Sequence, residues 1–509
     1  MKRGKGIKLL LAVLLTAALA VGGLAVRHVV TERRAAEERQ RALDAVESFS
    51  GVLSADELSS LEQYRNLKSV DLRGSVCYDA LMRYSEEHPA QEVRYTVPLG
   101  GLETDSGVTA LTLEPDSFSL DELTEKLRCL PSLTHITLSR TTLTAEEIAR
   151  LRASFPDRTI RYTVPLLERE LGEHTRELDL SGLRPEQLDE ALRALRLLPA
   201  LERVELTDAE GGNTLSGDEV KRLQDAFPEL CFAYRFELFG QTVSTEDERI
   251  EYVRVPIRNE GVEELRRALP LLKSCRYFLL DNCGIDNELL AALRDEFPET
   301  KIVWRLYIEY IGFLTDIKVL HLTWMWTNQN IQILRYCNEL EYFDIGHNTI
   351  SDISFMAYMP NLKYAILSYN YVRDVSPLAN CKKLEMLELY FCHLLEDISP
   401  LAECESLKLL NVSATKVHDI SPVFKLKNLE RFYCIMNYGI PEEQQEQIHE
   451  ELPDCWITFN QEIDKAVGWS FDAAGGVRAQ WYLDMYKIFR YRVEPYFFGD
   501  YPEEFQKGE

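Results

Sequence analysis

Between residues 317 and 437, rings and charges recur at fixed offsets from the first apolar residue of each short segment. The third position reads Tyr342, Tyr364 and Arg431, and the fifth reads His321, Asp344, Ile366, Glu388, Asn411 and Tyr433. The seventh and eighth read Thr323-Trp324, Gly346-His347, Ser368-Tyr369, Tyr390-Phe391, Ser413-Ala414 and Ile435-Met436. Their chemistry is adhesion: rings bury a large area only when covered, and Tyr, Trp and Arg are the commonest anchors of protein interfaces. Aromatic rows flanked by Asp, Glu and Asn also suit sugar rings, and packing of the rings against each other is the bland alternative. The expected ligand-binding set is Trp324, Tyr342, Asp344, Tyr364, Tyr369, Glu388, Tyr390, Phe391, Arg431 and Tyr433.

Signatures of turnover are missing from the sequence. It contains no HExxH, GxSxG, P-loop or EF-hand pattern, and His449-Glu450-Glu451 lacks the second histidine a zinc helix needs. Eleven cysteines form no CxxC pair and no Cys/His run at zinc spacing. No catalytic residue, metal site or cofactor is expected. A net charge of -26 repels phosphate backbones, so nucleic acid is an unsuitable partner.

The elements that position these residues form a repeat. An apolar residue, two variable, an apolar, one variable and an apolar recur from Ile317, Leu340, Leu362, Leu384, Leu407 and Leu429. Behind four of these comes a second motif: Asp352-Ile353-Ser354-Phe355, Asp374-Val375-Ser376-Pro377-Leu378, Asp397-Ile398-Ser399-Pro400-Leu401 and Asp419-Ile420-Ser421-Pro422-Val423. Both motifs hold one period of about 22 residues, the length of one strand plus its return. The pattern resembles leucine-rich repeats, and the DISPL segment resembles that of bacterial internalins. Each unit provides one short strand whose first, fourth and sixth positions need neighbours to be buried, so the units must stack. The Ser-Pro step is expected to start a 3₁₀-like return.

Residues 67–308 carry a longer period. Strand patterns at Leu67–Leu72, Leu133–Leu138, Leu201–Leu206 and Cys275–Leu280 precede amphipathic helices that stop at Phe155-Pro156, Phe227-Pro228 and Phe297-Pro298. A further strand follows, as in Ile160–Leu166 and its echo Val93–Leu99, and the next module opens near Val108, Thr175 and Ile250. This predicts a three-strand super-repeat of about 70 residues with helical returns. The short connection at 166–175 allows a hairpin excursion. Cys337, Cys381 and Cys404 fall in one equivalent core slot, Cys275 and Cys434 on strands, and Cys283 and Cys392 at the ninth position, where Asn or Cys bonds the loop backbone. They are expected to act as small hydrophobes.

The ends differ from the body. Lys2, Arg3, Lys5 and Lys8 precede an apolar run from Leu9 to Val26, long enough for a single span. Cleavage after Ala20 would instead release the chain. Residues 464–509 hold twelve aromatics, and Trp481, Met485, Ile488 and Phe489 recur at helical spacing. A helix capping the last repeat is expected there, with docking by Tyr496, Phe497 and Phe498 as the alternative. The predicted fold is α/β: a leucine-rich-repeat solenoid, a horseshoe with a parallel concave sheet, preceded by an N-terminal transmembrane helix or signal segment. Its divisions are 1–26 anchor, 27–50 charged helical stalk, 51–316 helical-return modules, 317–463 internalin-like repeats and 464–509 aromatic cap. By resemblance, the expected function is binding of an extracellular protein, or a glycan, on the concave face, with the body outside the cytoplasm. A cell-envelope hydrolase using the repeat to hold substrate is the competing reading.

Overall fold

A computed structural model describes residues 27–28, 30–99, 101–114, 119–323, 326–459, 469 and 478–490. The expected span at 9–26, Trp324 and Tyr496, Phe497 and Phe498 lie outside the described residues. Among the described residues no helix is long and apolar enough to cross a membrane. The chain divides into two compact units, Met1–Tyr234 and Arg235–Glu509.

In the first unit residues 30–44 are helical and almost wholly exposed. The repeat begins earlier than the expected residue 51, because Ser48–Ser50 (β1) already pairs in parallel with Ser69–Asp71 (β2). Glu92–Arg94 (β3) completes that parallel trio, and Thr96–Leu99 (β4) and Leu102–Asp105 (β5) form an antiparallel hairpin. The plan repeats with Ala110–Leu113 (β6), His135–Leu138 (β7) and Thr159–Leu166 (β8), the last turning back through Arg169–Gly172 (β9). Glu177–Asp179 (β10), Arg203–Glu205 (β11) and Cys231–Ala233 (β12) form a third parallel trio.

The hairpin between β8 and β9 is the excursion that the short connection allowed. Leu167 and Glu168 turn it with φ of 49° and 61°. Such positive angles match the twist of a two-residue hairpin despite the absence of glycine. The helical returns end where the sequence places the prolines: Ala145–Ser154 has its C-cap at Phe155 and Gly217–Ala226 at Phe227. Each starts in a reciprocal cap, Thr144 with Glu147 and Ser216 with Glu219, which satisfies otherwise orphaned N–H groups. The echoed tyrosines also do equivalent work, since Tyr95 donates to the Cys129 carbonyl and Tyr162 to that of Leu197.

The second unit opens on a hairpin, Arg235–Leu238 (β13) with Gln241–Ser244 (β14). Arg249–Val253 (β15), Tyr277–Asp281 (β16) and Lys301–Ile308 (β17) pair in parallel, and Ile311–Leu314 (β18) folds back on β17. The super-repeat is therefore three parallel strands plus a hairpin. Seven parallel strands follow in sequence order: Val319–His321 (β19), Tyr342–Asp344 (β20), Tyr364–Ile366 (β21), Met386–Glu388 (β22), Leu409–Asn411 (β23), Arg431–Tyr433 (β24) and Trp456–Thr458 (β25).

Stacking gives these strands one continuous core. Phe343, Ala365, Leu387, Leu410 and Phe432, at the fourth position, are fully buried. The ninth position holds the turn: the Asn370 amide donates to the carbonyls of Ile345 (2.7 Å) and Leu367 (3.0 Å) and accepts from Ile350 N (3.0 Å). Asn348 does the same one repeat earlier, and the Cys392 thiol donates to Leu367 O. Each DISPL-type segment is a 3₁₀ turn opened by its aspartate, which accepts from Ser354, Ser376, Ser399 and Ser421 N at 2.8–2.9 Å. That side-chain acceptor ends the extended segment and lets proline start the return.

The end of the repeats departs from expectation. Among the described residues no aromatic helix caps the last strand; the helix Glu442–Glu451 and β25 complete a final return against the preceding one. The described aromatic residues of 464–509 are elsewhere, on the sheet.

Candidate functional site

Alternate residues of a strand face opposite ways, so the third, fifth and seventh positions share the outer face of the seven-stranded sheet. A distal helix, Gln480–Phe489, lies on that face against β19 and β20. Met485 and Phe489 are buried there with Trp469, among Val319, Ile366, Met386, Leu409, Tyr433 and Ile435. Tyr342, Tyr364, Trp481, Tyr482, Tyr486 and Ile488 pack around this cluster. The expected cap is thus a cover on the sheet.

That placement corrects the view of the outer face as an open binding surface. Tyr342 and Tyr364 are half-buried and meet edge-on at 5.4 Å, the mutual packing that stood as the alternative. Asp344 and Tyr433 are buried, and Tyr433 lies 6.2 Å from the Trp469 ring. Arg431 is half-buried on the neighbouring strand. Glu388 keeps part of its surface, yet both carboxylate oxygens are engaged, Oε1 by Ser368 Oγ (2.8 Å) and Oε2 by Trp469 Nε1 (3.0 Å). Desolvation pushes its pKa above the ordinary carboxylate value, ahead of the opposing pull of those two bonds.

Polar residues continue along the same rows. His321 Nε2 lies 3.4 Å from Asp344 Oδ2 and its ring 6.3 Å from Phe489. Burial outweighs the nearby carboxylate and pushes the imidazole down to about 4, so the ring is neutral at neutral pH. Ser368, Asn411 and Ser413 are buried in the adjoining strands.

Tyr369 and Phe391 belong to a different surface, and half-buried Tyr390, at the seventh position, borders it. The eighth position of each repeat leaves the strand in the left-handed region, with φ of 59° at His347, 57° at Tyr369, 60° at Phe391, 55° at Ala414 and 59° at Met436. This turn takes the eighth position out of the alternation of the strand. Tyr369 stacks on His347 at 4.4 Å and 15° and on Phe391 at 5.0 Å and 30°. These separations match the spacing of neighbouring strands, so the sheet itself sets the stack. Tyr390 meets Tyr369 edge-on at 5.3 Å, and Tyr371 meets His393 at 5.4 Å. Tyr369, Tyr371 and Phe391 each expose about two fifths of their surface, at 39%, 43% and 41%.

The expected set therefore splits in two, and some members of each part were missed. Tyr371 and His393 lie beyond the strand positions that drew attention, and periodicity alone does not mark them. Val319, Met386 and Leu409 were legible: apolar third positions on a face otherwise open to water imply that something covers it. Among the described residues no cluster of three or more His, Cys, Asp or Glu is arranged to hold a metal.

Residues 360–403 match the family of leucine-rich repeats in two copies. No curated protein sequence matches the chain. Among solved structures, an internalin of Listeria monocytogenes is 14% identical with a TM-score of 0.23, the alignment covering 83% of each chain. A leucine-rich-repeat protein of Leptospira interrogans is 16% identical with a TM-score of 0.26, over 83% of this chain and 98% of its own. Internalin C2 of Listeria monocytogenes is 15% identical with a TM-score of 0.23, over 50% of this chain and 89% of its own. At this level of similarity, the family match and the repeat geometry are the grounds for a functional reading.

Proposed function

We propose that this protein, whose residues 360–403 are leucine-rich repeats, binds a protein partner without turnover through the ridge of His347, Tyr369, Tyr371, Tyr390, Phe391 and His393. The observation that carries this reading is the exposed ring stack, held at consecutive left-handed positions that disfavour any residue with a side chain. Rigid rings lose little entropy on being covered and are efficient anchors. Protein is favoured over glycan because both faces of Tyr369 are already covered by His347 and Phe391. Ring edges remain available, whereas a sugar stacks on a face. The basic stub and apolar run of residues 1–26 would tether the body outside the cytoplasm, with residues 30–44 as a spacer.

The test is capture of a partner from host and envelope extracts by residues 46–509, beside Tyr369→Ser/Phe391→Ser. Loss of the captured protein by a variant that melts within about 1 kcal/mol of the parent supports the ridge, since truncating exposed anchors costs binding more than folding. Equal capture by both removes it.

A further inference from the structure

The face beneath the distal helix is unlike a core. Among Ile366, Tyr433 and Ile435, its fifth and seventh positions also carry the polar His321, Asp344, Ser368, Glu388, Asn411 and Ser413, whereas the opposite face of the same strands is apolar throughout. Polar groups in such a row suit a surface that meets water or a polar ligand during part of its life.

The cover is also a separate layer. The core that runs through the repeats from Leu238 to Leu452 contains none of its residues, and the distal helix and Trp469 form a cluster of their own with the outer face. The helix has ten residues and no side-chain cap at Ala479, so it is too short to persist undocked. Its fit is incomplete: Trp469 Nε1 finds Glu388, but Trp481 Nε1 is buried with no hydrogen-bond partner. Its far side leaves Leu483 and Lys487 exposed.

We propose that the outer face of β19–β24 is a docking site for an amphipathic helix of a partner protein preceded by a tryptophan, the arrangement that Trp469 and the distal helix supply in cis. Recognition would follow the helix-in-groove mode, with Met- and Phe-type anchors on the Val319, Ile366, Met386 and Leu409 surface and an indole N–H on Glu388. The anchoring positions of this site, Val319, Ile366, Met386, Leu409 and Glu388, are not ridge residues, and different substitutions test the two readings.

Two measurements on the full chain decide it. In native hydrogen exchange, amides 480–489 should open while β19–β24 stay protected; exchange of both only by global unfolding overturns the proposal. A labelled peptide of residues 464–490 should bind Met485→Ser/Phe489→Ser about tenfold or more tighter than the parent, because those substitutions vacate the site. The same peptide with Trp469→Phe should bind more weakly. Equal affinity for parent and variant, or no binding to a folded variant, also overturns the proposal; if the variant fails to fold, the exchange experiment decides alone.

Discussion

The same strands build two aromatic surfaces with opposite fates. On the outer face, Tyr342, Tyr364 and Tyr433 lie under or beside the distal helix, with acidic neighbours held in hydrogen bonds. At the strand ends, His347, Tyr369 and Phe391 stack in the open. One backbone angle contributes to the difference. Positions three and five project from the pleat, where a helix can lie across them, whereas position eight turns left-handed and leaves the plane. The same angle leaves Ala414 buried and Met436 packed against the outer-face cluster, so the open stack needs both the turn and the rings at 347, 369 and 391.

The largest effect separating the surfaces is expected from Trp469→Ala. It removes an indole buried in the outer-face cluster and costs about 3 kcal/mol of helix docking. Limited proteolysis should then cut near Lys487 and Arg490, while the melting of the repeats stays close to the parent. If the repeats melt lower by the same amount, the cover belongs to the core and the contrast fails.

A second effect lies in pH. The folded pKa of Glu388 is raised, so its stabilising protonated form is fully present below the unfolded value of about 4.3 and is lost as pH rises through the folded value. Relative to Glu388→Gln, the parent should lose stability as pH climbs above that point. Parallel profiles of parent and variant by denaturant titration would contradict it. His321 has the opposite sign: its pKa is depressed to about 4, so its contribution is present above the unfolded value near 6.5 and is lost as pH falls toward 4. The comparison with Glu388→Gln isolates the first effect.

The smallest effect tests the angle itself. Ala414 occupies the ridge's left-handed position without contributing a ring, so Ala414→Gly should stabilise by about 1 kcal/mol in urea melts. No gain would mean that the left-handed turn costs this fold nothing.

Much of this was legible in the sequence. The 22-residue period gave the strands, their order and the core side, because apolar spacing dictates which face must be covered. The Phe-Pro stops and reciprocal caps marked the helical returns. The hairpins were only half legible, since Leu167-Glu168 contains no turn residue and its left-handed angles are imposed by the strands around it. The cover was missed for a physical reason: Trp469 meets Glu388 across 81 positions, a contact no local pattern encodes. Only the apolar Val319, Met386 and Leu409 hinted at it, and only when set against an aromatic helix with no remaining place in the core.

The cysteines of the returns have a practical consequence. Cys337, Cys381 and Cys404 share one fully buried slot with Met359 and Leu426. Burial pushes the Cys381 thiol up to about 12 and that of Cys404 up to about 11, so neither is a thiolate at neutral pH. An alkylating reagent therefore reaches them only when that repeat opens. The slot gives the solenoid a set of chemical clocks, one in each of several turns, by which the order of its unravelling can be read.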